Sequence, residues 1–152
     1  MAECNSANFP MEHKPQLTKE GEGKDVNPTL YQRLIGSLRY LLHTRPDLGY
    51  SVGVLSRYME KPKENHMAAI KQVLRYVKGT IQFGLKYHKG RDSEIVGYSD
   101  SRFETDLDDR RGTMGTMFFY SGNLVSWTSQ KQRTVVLSSW LLRLRRIWCV
   151  SR

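Results

Sequence analysis

The hydrophobic period changes once along this chain, just after Gly79. Before it, apolar residues recur at steps of three and four, the spacing that lines one face of an α-helix. After it they fall into short runs of strand-forming residues closed by turn signals. The expected fold class is therefore α+β, a small helical subdomain followed by a strand-rich one. In "NPTLYQRLIGSLRYLLH", Leu30, Leu34, Leu38, Leu41 and Leu42 fall on one face, Asn27 is placed to cap, and Pro28 suits a first helical turn. "TRPDLGYSVGVLSRYMEKP" opens at Pro46, lines a face with Leu48, Val52, Leu55 and Met59, and stops at Pro62. "KENHMAAIKQVLRYVKG" repeats Met67, Ile70, Leu74 and Val77 and ends at Gly79, the residue type that terminates helices. Residues 1–27, polar and interrupted by Pro10, Pro15, Gly21 and Gly23, read as a loose N-terminal arm. Beyond Gly79, "IQFGLKYH" and "EIVGYSD" are strand candidates. "GTMGTMFFYSGNLVSWTSQK" reads as a hairpin turning at Ser121-Gly122-Asn123.

Charge narrows the partners. Lys plus Arg number 24 and Asp plus Glu 15, giving +9 at neutral pH. Such a balance favours polyanions, nucleic acid first, although the same charge also serves as a solvated surface. The two cysteines, Cys4 and Cys149, stand at opposite ends and form neither a disulfide framework nor a zinc pattern. No apolar run approaches the length of a membrane span, and the first residues lack the apolar core of a secretory signal. The expectation is no membrane span and no visible export signal.

"GYSDSRFETDLDDRR" gathers Asp100, Glu104, Asp106, Asp108 and Asp109 in this basic chain. Asp100 closes a strand candidate, and a carboxylate at a strand end is suited to Mg²⁺. Two-metal hydrolysis needs several carboxylates converging from different elements. The other aspartates lie in a loop beside Arg110 and Arg111, which equally makes a solvated turn neutralised by its own arginines. His13, His43, His66 and His88 are scattered, and His66, near a helix start, is expected at the surface. Ser138-Ser139 lacks the glycine elbow of a nucleophile, and Gly112 and Gly115 serve turn geometry better than phosphate binding. No cofactor is expected, no metal site is assigned, and no nucleic-acid-binding residue is singled out.

The segments "GSLRYL", "TRPDL", "LRYVKGT", "GYSD", "DDRR" and "VSWTSQKQ" follow one another in an order that resembles the polyprotein of copia-type LTR retrotransposons, over about residues 8–139. The resemblance implies that residues 28–87 are the helical tail of a reverse transcriptase and residues 94–139 the first half of an RNase H-like domain. The fold would then be a helical subdomain followed by an incomplete RNase H-like β-sheet. Asp100 matches the family's first metal-binding aspartate, while the polymerase aspartate pair belongs to a palm that is absent here. Two departures stand out. Arg102, Phe103, Glu104 and Thr105 replace an acidic or small residue followed by Trp, Ala and Gly. After Ser139 the family continues towards Glu-Ala-Glu-Tyr, including a metal-binding glutamate, whereas this chain reads Trp140 and then "LLRLRRIWCVSR". One coding string for "LRLRRIW", read two bases later, yields Glu-Ala-Glu-Glu-Asp-Met. Residues 140–152 are therefore read as a basic, apolar tail arising from a frameshift. The resemblance implies no RNase H activity, with Asp100 a remnant ligand, and hence no enzyme.

A second resemblance concerns role. Short copia-like chains of this make are catalogued as secreted RxLR-type effectors of oomycetes. The corresponding motif here is Arg39-Tyr40-Leu41-Leu42, although Leu41 and Leu42 also belong to the apolar helix face. It implies secretion, then action in the nucleus or cytoplasm of a plant host cell, on an unknown host protein, suppressing cell death. The alternative is an inert or non-specifically nucleic-acid-binding remnant, which would be intracellular.

Overall fold

The computed structural model describes residues 4–12, 16–89, 94–102, 108, 111–132 and 147–149. The chain forms two compact units, Met1–Gly84 and Leu85–Arg152. Together they make an α+β protein with an incomplete sheet.

In the first unit, α1 (Pro28–Leu41), α2 (Gly49–Leu55) and α3 (Glu64–Gly79) are joined by 3-10 turns at Pro46–Leu48 and Ser56–Tyr58. Asn27 caps α1 as its position implies, its Oδ1 accepting from the Thr29 and Leu30 amides at 2.9 and 3.3 Å. The buried stripe of α1 is Tyr31, Ile35 and Leu38, whereas Leu30 stays 47% exposed. The face is therefore turned from the one the leucines alone marked. The reason is Tyr31, whose hydroxyl reaches the buried Leu55 carbonyl at 2.9 Å, so that its polar tip is satisfied inside the core. On α3 the buried hydrophobic set is Met67, Ile70, Val73 and Tyr76, with Leu74 and Val77 only packed at its margin. Gly79 is the last residue of α3 rather than the residue beyond it. A Cβ there would lie 2.6 Å from the Ser6 side chain, so the glycine admits the N-terminal arm.

Among its described residues that arm has no helix or strand, yet they are not loose. Ala7, Met11, Leu17 and Val26 pack against the core. Arg75 Nε and Lys78 Nζ donate to the Asn5 and Cys4 carbonyls at 2.7 and 2.8 Å. Its many Pro and Gly residues prevent regular structure without preventing burial, because side chains and backbone carbonyls still find partners on α3.

The second unit holds an antiparallel sheet in the order β3-β2-β1-β4. Its strands are β1 (Ile95–Arg102), β2 (Thr113–Tyr120), β3 (Asn123–Lys131) and the short β4 (Ile147–Cys149). The hairpin turns at Ser121 and Gly122, with φ of 49° and 77°, as a two-residue turn with both centres left-handed requires. Between Phe118 and Phe119 the register slips, leaving Val125 as the extra residue of a bulge. "EIVGYSD" is strand, as expected. "IQFGLKYH" is not: residues 81–82 form a turn and 83–88 an irregular stretch, with Ile81, Phe83 and Tyr87 exposed. Alternation favours a strand only where a neighbouring ladder accepts it. The last strand, β4, lies in the segment read as a frameshifted tail and pairs Ile147 with Gly97 and Cys149 with Ile95.

Candidate functional site

Asp100 stands near the end of β1, exposed, opposite Gly115 on β2, which in turn faces Ser129 on β3. The same register places Tyr98 beside Met117 and Trp127, and Val96 beside Phe119 and Leu124. Asp100 therefore ends an apolar row, with the Tyr98 and Phe119 rings meeting edge to face at 5.7 Å between centroids. Its cross-strand neighbours on β2 and β3 bring no second carboxylate. Of the loop acids, Asp108 is exposed, while Glu104, Asp106 and Asp109 lie outside the described residues, as do the Arg102 side chain and Ser138, Ser139 and Trp140. Among the described residues, no cluster of three His, Cys, Asp or Glu could hold a metal ion.

The Arg39-Tyr40-Leu41-Leu42 motif sits in the last turn of α1. Arg39 and Tyr40 are exposed, Leu41 and Leu42 pack against the core, and the Leu42 amide donates to the Arg39 carbonyl at 3.2 Å. The apolar half of the motif is occupied as part of the fold.

Two polar arrangements were not singled out in the sequence. In the first, Arg45 is almost wholly buried and binds Asp47 with two nitrogens, Nε at 3.0 Å and Nη2 at 2.7 Å. It also donates to the Thr80 carbonyl and hydroxyl at 2.9 and 2.8 Å. The Tyr76 hydroxyl donates to Asp47 at 2.9 Å, and the guanidinium lies over the Tyr76 and Phe83 rings. Partial burial pushes the Asp47 carboxyl up, but hydrogen bonds from Arg45 and Tyr76 and the guanidinium charge outweigh it, leaving the group below its ordinary value. The Asp47 hydrogen bond holds Arg45 more firmly charged, against the effect of burial. Burial, then the Asp47 bond, raises the Tyr76 phenol. The constellation ties the start of α2 to the end of α3. The "TRPDL" string carried its Arg and Asp, but Tyr76 and Thr80 lie far along the chain.

The second arrangement corrects the expected surface position of His66, which has no exposed surface. As the third residue of α3 it reaches back so that Nδ1 accepts the Lys63 amide at 3.0 Å, a place usually taken by Glu or Gln. Its ring stacks on Tyr58 at 4.1 Å.

No family model matches the chain, and no solved structure matches it. Among curated proteins it is similar to the "Retrovirus-related Pol polyprotein from transposon RE2" of Arabidopsis thaliana. The two are 42% identical over 130 residues, 86% of this chain and 9% of that protein. It is similar to "Secreted RxLR effector protein 161" of Plasmopara viticola, 44% identical over 110 residues, 72% of this chain and 78% of that protein. It is also 34% identical over 139 residues to "Uncharacterized mitochondrial protein AtMg00810" of Arabidopsis thaliana, covering 91% of this chain and 58% of that protein. The chain thus spans less than a tenth of the Pol polyprotein length, 9% for RE2.

Proposed function

The chain belongs to the copia-type retrotransposon Pol polyprotein family, and on that premise we propose that it is a non-catalytic fragment acting as a secreted, effector-like protein that suppresses cell death in plant host tissue. One observation carries the role: 44% identity to a protein named as an effector, of which this chain spans 78%. The name of that relative supports secretion; entry into the host nucleus or cytoplasm and an unidentified host protein as target complete the proposal. No helix among the described residues is long and apolar enough to cross a membrane. The test is transient expression in leaf tissue with and without a cell-death elicitor. Suppressed lesions support the role; lesions equal to those of an empty vector end it.

Absence of catalysis is supported by the surroundings of Asp100. Its neighbours on β2 and β3 are Gly115 and Ser129, while two-metal cleavage needs carboxylates gathered on metals about 3.5–4 Å apart. We read residues 28–87 as the reverse-transcriptase tail, 94–139 as an RNase H-like region and 140–152 as the frameshifted tail, with Trp140 replacing the start of the acidic segment. Turnover of an RNA–DNA hybrid with Mg²⁺ or Mn²⁺ that Asp100→Asn abolishes would overturn the non-catalytic reading. Genomic codons incapable of yielding Glu-Ala-Glu in another frame would overturn the frameshift.

A second reading, favoured by the net charge of +9, is a remnant that binds nucleic-acid backbones without sequence readout. Such binding weakens steeply as salt rises, so a titration of duplex binding against salt that shows no dependence rules it out.

A further inference from the structure

We propose that residues 16–26 form a pH-released clasp on the start of α3, with His66 as its catch. The inference rests on the packing of the helical unit and not on the proposed role. The Lys63 amide donates to His66 Nδ1 at 3.0 Å, and Nε2 lies 2.9 Å from the Thr18 carbonyl oxygen. A ring that accepts at Nδ1 and meets a carbonyl at Nε2 is neutral, with its proton on Nε2. It lies flat on Tyr58, with ring planes 10° apart, and the Tyr58 hydroxyl donates to the Leu17 carbonyl at 3.1 Å. His66 and Tyr58 together thus grip Leu17 and Thr18. Around them the segment satisfies helix-start amides that have no partner within the helix. Glu64 donates to the Lys24 carbonyl at 3.1 Å, Asn65 to Glu22 at 3.3 Å, and Val26 returns a bond to Pro62 at 2.9 Å. Gly21 closes against the ring: its φ is +57°, and a Cβ there would lie 2.9 Å from His66 Cε1.

A second proton has no place in this arrangement. On Nδ1 it would point at the Lys63 N–H, turning an acceptor into a donor and putting charge where the residue has no exposed surface. The Lys63 ammonium, paired with Asp25 at 2.6 Å, is a further cation carried by the same helix start. Stacking on Tyr58 works the other way, favouring an imidazolium, but a phenol face does not replace the lost backbone bond. The remaining charged groups brought by the packed elements are Lys19, Glu20, Glu22 and Lys24 on the arm, Arg57 beside Tyr58, Glu60 and Lys61 ahead of α3, and Glu64 on α3. All are exposed except Arg57, which is half-buried. Histidine's ordinary range, near 6.5, puts the transition within reach of mild acid. Because the opened ring takes the proton and the closed one does not, the closed clasp weakens by up to about tenfold per pH unit below histidine's ordinary value.

The test is NMR on the full chain from about pH 7.5 to about pH 5, following the His66 ring nitrogens together with amide exchange corrected for its intrinsic pH dependence. The expected result is an Nε2-protonated ring at the upper end. Below histidine's ordinary value the Val26, Glu64 and Asn65 amides lose up to about tenfold protection per pH unit while Ile35 and Val73 keep theirs. His66→Gln, which accepts and donates without titrating, should flatten that response. Should the variant not fold, the wild-type ring decides. A ring protonated on Nδ1 at the upper end, amides that keep their protection as the pH falls, or a ring that charges without loss of those amides overturns the proposal. So does a pH response kept in His66→Gln, or loss of Ile35 and Val73 protection together with the clasp.

Discussion

The two units are held by different forces. All the buried hydrophobic residues of the described chain lie between Tyr31 and Tyr76 in the helical unit, with Tyr31, Ile35, Leu48, Leu55, Ile70 and Val73 wholly enclosed. The sheet has a continuous backbone ladder, yet Tyr98, Met117 and Tyr120 on it remain 42 to 45% exposed. A ladder fixes which residues are neighbours; apolar burial, about 25 cal/mol per Å², fixes how much each is worth. Among the described residues, apolar side chains therefore make a core in one unit and a half-exposed, patterned sheet in the other.

The contrast breaks most readily at Ile70. Ile70→Ala should cost about 2–5 kcal/mol, read as a lower urea midpoint for loss of helical circular dichroism, because both the apolar transfer and the cavity count there. Met117→Ala on the half-exposed sheet should move the same midpoint far less. Equal effects would mean that the sheet has a core of its own.

Next in size is Asp47→Asn. It strips Arg45 of its bidentate partner and should cost about 1.5–3 kcal/mol, towards the lower figure because the Asp47 side chain is 34% exposed. The pH dependence has a definite sign. A carboxyl held below its ordinary value in the folded state contributes stability above the unfolded value near 3.9 and loses it as pH falls through the folded one. Wild type should thus show an acid-side loss below about pH 4 that the variant lacks, measured by urea midpoints across pH.

Gly36→Ala should act in the opposite direction. The position lies inside α1 with nothing within 4 Å of an added Cβ, so a gain of about 0.5–1 kcal/mol in thermal melts is expected. The smallest effect belongs to the sheet. Thr116 and Thr128 share a hydroxyl bond of 2.8 Å across β2 and β3, and Thr116→Ala should cost about 0.2–1 kcal/mol. A larger loss would show that side-chain pairing, and not the ladder, holds that unit.

Local signals were legible where local physics decides. Asn27-Pro28 opened α1, Ser121-Gly122 turned the hairpin, and the helical spacing marked three helices, because caps, turns and periodicity depend on a few adjacent residues. The candidate site was legible only as the single strand-end position of Asp100, since which residues stand beside it depends on strand register. His66 departs from its expected surface position for a related reason. A lone histidine near a helix start resembles a surface residue until Thr18 and Tyr58 close over it.

The sequence by itself determined the order of the three helices, β1 and the β2–β3 hairpin, the basic balance and the family, because these reside in local spacing and in residue identity. Only the tertiary structure decided that Tyr31 and not Leu30 faces inward, that Arg45 finds Asp47, Tyr76 and Thr80, and that the arm closes on α3. Those outcomes turn on whether a buried polar atom meets a partner, and, Asp47 aside, the partners stand tens of residues away along the chain.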